Sequence, residues 1–238
     1  MPLFTDEITT LESPIDVMYL MHKVYMVHSE FVESLAEQAQ EGGNLSEFQA
    51  NLDVWLKHLL YHAQTEDDYM TGPLKDKQLQ DGRYPLGDNE SEHDELRELG
   101  GSVLGSIEKD KAEVARILEE EDKEHQKLMT SVEDVQAATK DVVIGERYGQ
   151  SRSRRHLYAS VMALRVNEFD HFENEEAFVL PIVKEQMSYD EELELARKLL
   201  IEDSAENPRW IIDLILSALE GTEKELLQEL DAKFLALA

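Results

Sequence analysis

Residues 171–181, HFENEEAFVLP, set His171 and Glu175 four positions apart and close an apolar run on Pro181. On a helix, positions i and i+4 lie one above the other, so an imidazole and a carboxylate stand side by side on one face. The chain repeats this device: residues 62–73, HAQTEDDYMTGP, carry His62, Glu66 and a closing proline, Pro73. Both pairs continue apolar stripes at helical spacing. The stripe over about 45–70 reads Phe48, Leu52, Trp55, Leu59, His62, Glu66, Tyr69, and that over about 150–187 reads Leu157, Val161, Leu164, Glu168, His171, Glu175, Phe178, Ile182. Groups able to chelate a cation thus occupy core positions, which favours a fold that gathers helix faces around them.

Two further long helices are expected. Ser13-Pro14 opens the first, with Ser13 as N-cap, Pro14 at the first helical position and Asp16 in the first turn. It runs to about Gln40, and its first half, which holds His22, is apolar almost all round. The other, about Ile107 to Val143, has the stripe Ile107, Val114, Leu118, His125, Met129, Val132. Turns fall at Glu41–Asn44 and Gly145–Gly149, and residues 71–89 read as a long irregular connection. A helix from about Glu90, interrupted at Gly100-Gly101 and Gly105, follows that connection. Past Met187, capping boxes at Ser188–Glu191 and Thr222–Glu225 and a helix start at Asn207-Pro208 mark three short helices. The expected architecture is all-α. An up-down-up-down four-helix bundle covers 1–188, with 71–106 as an inserted connection carrying an extra helix. Residues 189–238 form a C-terminal extension packed on the bundle, on a second subunit of a homodimer, or on a protein partner.

Composition removes several chemistries. The chain has no cysteine, which excludes thiolate zinc sites, iron–sulfur clusters and a cysteine nucleophile. A formal charge of −29 repels phosphate backbones and anionic membranes, so neither nucleic acid nor membrane is an expected partner. The opening MPLFTDEITT lacks a basic stretch followed by an apolar one, so no signal peptide is expected and the protein reads as cytoplasmic. No nucleophilic triad or phosphate-binding glycine loop stands out.

In such a bundle, residues equally far from a shared turn lie at equal height. His22 and His62 are about 21 and 19 residues from the turn near 43, and His125 and His171 about 22 and 24 from the turn near 147. All four then fall within about one and a half helical turns, with Glu66 and Glu175 one turn beyond their histidines. Burying four imidazoles and two carboxylates is costly unless cations satisfy them. The mixed N/O set suits iron or manganese, with zinc possible.

The pattern H…H-x3-E…H…H-x3-E, with prolines closing both H-x3-E segments, resembles the hemerythrin-like HHE cation-binding family. So does PIDVMYLMHK, a Pro-Ile-Asp start leading to His22. The resemblance covers roughly residues 13–187. It implies a four-helix bundle around a non-haem di-iron centre, with histidines as terminal ligands. His22, His62, Glu66, His171 and Glu175 match the family's positions, and Glu66 and Glu175 would bridge the metals. The third-helix ligand departs from the pattern, since both His93 and His125 are available; His125 is preferred for its height. Residues 71–106 would then cap the metal end, with His93 at an entrance.

Glu121, one turn before His125, reads as a solvated Glu in an acidic run, with a ligand role as the alternative. His58 stands at the stripe's edge, His28 packs elsewhere and His156 lies at the surface. Tyr25 and Tyr69 lie near the stripes. Glu168 on a core stripe is unexplained by this scheme, except as a carboxylate that orients a ligand imidazole. The pairs Glu168-x-x-His171 and Glu90-x-x-His93 suit a competing ferritin-like di-iron scheme, which leaves His22 and His62 unused. The first functional expectation is a di-iron protein that binds or senses O2 or another small diatomic. The alternatives are an enzyme acting on peroxide or nitric oxide, and iron storage or an iron-dependent interaction module.

Overall fold

A computed structural model describes residues 7–75, 94–144 and 150–237. These residues are mostly helical with no strand among them, and no described helix is long and apolar enough to cross a membrane. The long helices are α1 (Val17–Gln40), α2 (Leu45–Glu66), α3 (Asp94–Ile144) and α4 (Gln150–Asn174). Shorter ones follow: α5 (Leu180–Gln186), α6 (Tyr189–Leu200), α7 (Trp210–Ala218) and α8 (Gly221–Leu237). The long helices close a ring of contacts, α1 on α2 and α4, and α3 on α4 and α2.

Local chemistry sets the ends of the elements. Before α1, the Asp16 carboxylate reaches back to the N–H groups of Glu12 (2.7 Å) and Ser13 (3.0 Å) and pairs with Lys184. Asp16, rather than the expected Ser13 hydroxyl, therefore ties down this start, since Ser13 Oγ has no partner. After α1, Gly42 takes φ 105° and Gly43 N–H returns to the Gln38 carbonyl at 2.9 Å, which ends the helix. Arg154, from the RSRR run, binds the Ala39 and Gly43 carbonyls and so pins the start of α4 to this turn.

The first half of α1 is buried on all sides, as its composition suggests. Ile15, Val17, Met18, Leu20, Met21 and His22 are enclosed because α7 and α8 cover what α2 and α4 leave open. The C-terminal helices lie on this bundle, and α6 starts with the predicted Ser188–Glu191 capping box. α7 begins at Trp210 rather than at Asn207-Pro208. Glu223, within the run read as a second capping box, instead accepts from Ile8 N–H (2.8 Å) and Lys23 (2.6 Å).

Two expectations are corrected here. The glycines at 100, 101 and 105 do not interrupt the helix: α3 runs unbroken from Asp94 to Ile144, so among the described residues 94–106 belong to the third long helix rather than to a separate one. A helical glycine costs only about 1 kcal/mol against alanine, which a long helix absorbs. Residues 76–93, including His93 and Glu90, and the turn at 145–149 lie outside the described residues.

The second correction concerns the stripes. Each is broken by one π-helical turn, Asp67–Thr71 after α2 and Glu175–Val179 after α4. Gly72 N–H bonds to the Asp67 carbonyl and Leu180 N–H to that of Glu175, one residue wider than α-helical pairing. Pro73 and Pro181 follow directly; a proline has no N–H for the i−4 carbonyl and clashes with it. The wider turn removes that conflict and delays the helical phase by about one residue. Tyr69 and Phe178, expected to face inward, are therefore 45% and 51% exposed, while Met70, Thr71, Val179 and Leu180 are buried in their place. Met129 of α3 also points outward, and Leu128 and Val132 fill the core there.

Candidate metal centre

Four helices deliver one imidazole each to the same buried layer. His22 Nε2 and His62 Nε2 face each other at 3.2 Å, and Glu175 Oε2 lies 3.4 Å from the first and 3.6 Å from the second. His62 Nε2 is 2.8 Å from Glu66 Oε1. The other Glu66 oxygen lies 3.3 Å from His125 Nε2 and 3.7 Å from His171 Nε2. Glu175 Oε2 also reaches within 3.6 Å of His171 Nε2. Glu66 and Glu175 thus each stand between histidines of different helices, and all six residues singled out from the sequence converge.

A seventh group joins them. Glu121, read from the sequence as solvated, is fully buried. Its Oε1 lies 3.3 Å from His125 Nε2 and 3.2 Å from His171 Nδ1. Two overlapping four-residue groups result: His22, His62, Glu66 and Glu175, and Glu66, Glu121, His125 and His171. Within each group the potential ligand atoms lie within 4.8 Å of one another, close enough to hold a metal ion.

Outer partners orient two of the imidazoles. His22 Nδ1–H donates to Glu176 Oε1 at 2.9 Å, and His125 Nδ1–H donates to Asp67 Oδ1 at 2.8 Å. A carboxylate on the outer nitrogen directs the other nitrogen's lone pair inward. Each outer acid directly follows a central glutamate in the chain, Asp67 after Glu66 and Glu176 after Glu175. Each also lies at the start of a π turn. Neither acid was singled out from the sequence, because i and i+1 on a regular helix do not share a face.

The electrostatics favour positive charge at the centre. Burial alone pulls the His62 imidazole down, but Glu66 and Glu175 outweigh it and raise it to about 9. His125 is likewise pulled down by burial yet raised to about 10 by Asp67 and Glu66. Burial pushes the Glu66 carboxyl up, yet His62, His125 and His171 hold it well below its ordinary value. His22, where burial dominates, is lowered. Several buried atoms still have no hydrogen-bond partner: Glu66 Oε1, both Glu175 oxygens, Glu121 Oε1 and both His171 nitrogens. Buried polar atoms left unpaired are costly, and cations coordinated by these carboxylates and imidazoles would satisfy them. The donor set of each group could hold a metal ion.

The remaining sequence candidates fall elsewhere. Glu168 is fully buried but outside both groups, and its Oε1 accepts from Trp55 Nε1 at 2.7 Å. Contrary to expectation it holds the indole rather than a ligand imidazole, because Trp55 of α2 faces that level of α4. Burial raises its carboxyl to about 7, with Trp55 and Ser29 pulling the other way. His58, read as a stripe-edge residue, is buried, stacks on Tyr25 at 3.9 Å and bonds His28 at 3.2 Å. Tyr25 is buried beside His62, whereas Tyr69 lies under Lys198 at the surface. His156 is exposed. Phe172 seals the His22 side, stacked on that ring at 4.1 Å.

Comparison with protein-family models, with curated proteins and with solved structures finds no match.

Proposed function

We propose that this chain is a di-iron protein of the hemerythrin-like kind, an up-down-up-down bundle that binds or senses O2. The observation that carries this reading is the pair of overlapping His/carboxylate groups that share Glu66, buried between four helices. A single cation would leave one group's imidazoles and carboxylates unsatisfied; two would serve both. His22, His62, His125 and His171 would be the terminal ligands, with Glu66 and Glu175 between the ions. Imidazole and carboxylate together suit iron or manganese, with zinc possible, and the resemblance to the hemerythrin-like family is what favours iron. Two adjacent irons supply the two electrons that O2 chemistry of this class needs.

The chain's own residues do the rest. Glu176 and Asp67 fix the ring orientation of His22 and His125. Phe172, fully buried and packed on His22, His62 and His171, keeps water from that side of the layer. Exclusion of water slows proton leakage and loss of a reactive oxidation state.

The test is metal content per chain, with the optical spectrum recorded under argon after reduction and again in air. Two irons per chain and a new visible band that appears with O2 are expected. An iron-loaded, reduced protein whose spectrum ignores O2 would refute the functional reading. A chain that retains no metal would refute the centre itself.

A further inference from the structure

The two ligand groups share Glu66 and differ in their histidines, in their second carboxylate and in their access to solvent. His22, His62, Glu66 and Glu175 are all fully buried. In the other group, His125 keeps a trace of exposure, and the Asp67 side chain that grips it is 46% exposed. Glu121 belongs to this second group alone. Its Oε2 accepts from Asn174 Nδ2 at 3.4 Å, and Asn174 lines a surface depression of about 90 Å³ with Arg116, Ile117, Glu120 and Phe178. A short polar path, Asn174 to Glu121, thus connects solvent to the second group.

The residue spacing explains how Glu121 arrives. Glu121-x3-His125 is a third i, i+4 pair of carboxylate and imidazole, in reversed order relative to His62-x3-Glu66 and His171-x3-Glu175. Its Oε1 is buried, has no hydrogen-bond partner and lies 3.3 Å from His125 Nε2, the nitrogen that faces Glu66, and 3.2 Å from His171 Nδ1. A buried carboxylate oxygen beside the inward nitrogen of His125 completes a mixed N/O donor set of the kind that suits a divalent transition metal. Asn174 holds the second oxygen and so fixes which oxygen points inward.

We infer that Glu121 is a metal ligand of one position only, and that this second position is the exchangeable one, filled after the enclosed position and emptied before it through the depression over Asn174. This rests on the reading of the layer as a two-metal centre. The enclosed position binds more tightly because its ligands have no competing water. The second accepts ions from solvent because a polar pair, rather than packed apolar side chains, lies above it.

Cobalt(II) is a suitable probe, since it fills N/O sites and reports its coordination in the visible spectrum. Full-length protein stripped with chelator is titrated with cobalt(II) by calorimetry and native mass spectrometry, with circular dichroism as a control for folding. Two steps are expected for the wild type. Glu121→Gln, which keeps the shape and the hydrogen bond from Asn174, should weaken the second step about tenfold or more while the first stays unchanged. Glu121→His, which restores a ligand atom, should recover two ions per chain. Phe178→Trp, at the mouth of the depression, should slow release of one of the two cobalt ions to excess chelator and leave both affinities unchanged. Unchanged binding in Glu121→Gln, or equal loss of both steps, would overturn the assignment, as would a single-phase release from the wild type. A wild-type protein that takes up no cobalt would instead overturn the two-metal reading on which the assignment rests.

Discussion

Replacing Glu168 by glutamine isolates the energetic cost of one buried carboxyl. Glu168 is fully enclosed, one oxygen accepts from Trp55 and the other has no partner. Burial raises its carboxyl from 4.5 to about 7. Below 4.5 the group is neutral whether the chain is folded or not, and it has no effect on the pH dependence. Between 4.5 and about 7 the unfolded chain releases a proton that the folded chain keeps, so folding stability falls as pH rises. The loss is complete above about 7, and the gap corresponds to about 3 kcal/mol. Glutamine has the same shape, still accepts from the Trp55 indole and never ionises. Urea denaturation of chelator-treated wild type and Glu168→Gln should therefore give similar stabilities near pH 5. Near pH 8.5 the variant should be more stable by about 3 kcal/mol, a midpoint shift of ~1 M or more. Groups that titrate alike in both proteins cancel in this difference. An equal difference at the two pH values would refute the reasoning, since a purely steric effect carries no pH dependence.

Four further outcomes are expected. A Cβ at Gly72 would sit 2.7 Å from the Asp67 carbonyl oxygen, so Gly72→Ala must open the first π turn; a loss of about 1–3 kcal/mol in thermal unfolding should follow, and an unchanged melting temperature would count against the tight turn. Glu176→Gln and Asp67→Asn should each lower metal affinity about 10- to 100-fold in calorimetric titration. The Glu176 variant should lose more, because the Asp67 side chain is 46% exposed and partly screened, and the opposite ranking would refute this. Metal must displace protons from His62 and His125, raised to about 9 and about 10, so affinity should climb with pH toward that range with proton release measurable by calorimetry in buffers of different ionisation enthalpy. By the same linkage, the stability these two histidines lend the metal-free fold is fully present below about 6.5 and lost as pH rises through 9 to 10; metal-free protein no less stable at pH 10.5 than at pH 6 would contradict it.

Much of the candidate centre was legible in the chain because helical periodicity is a local property. His62 and Glu66, or His171 and Glu175, share a face by spacing alone, and the apolar residues on either side of each pair show that the face is inward. Equal distances from two turns then place His22 and His125 at the same level. Nothing in that reasoning needs a tertiary contact, and all six residues do converge. The absence of cysteine and the charge of −29 likewise follow from composition and limit the donor set to nitrogen and oxygen.

Tertiary structure decided what periodicity cannot carry. Spacing puts Glu121 on the face of His125, but it and the exposed glutamates beside it look alike in an acidic run, and the packing of α3 against α4 decides that it is enclosed. Asp67 and Glu176 became partners of His125 and His22 because a π turn begins beside each central glutamate, and a fixed helical period contains no such turn. The same two turns sent Tyr69 and Phe178 outward, a shift of phase that a continuous stripe does not register. Glu168 was visible as a core position, but its partner, the indole of Trp55, lies on another helix. By itself, then, the sequence determined that the four histidines, Glu66, Glu175 and Glu168 face inward and at what height, since backbone geometry repeats along a helix. Which of them meet, and through which oxygen or nitrogen, depended on contacts between segments far apart in the chain.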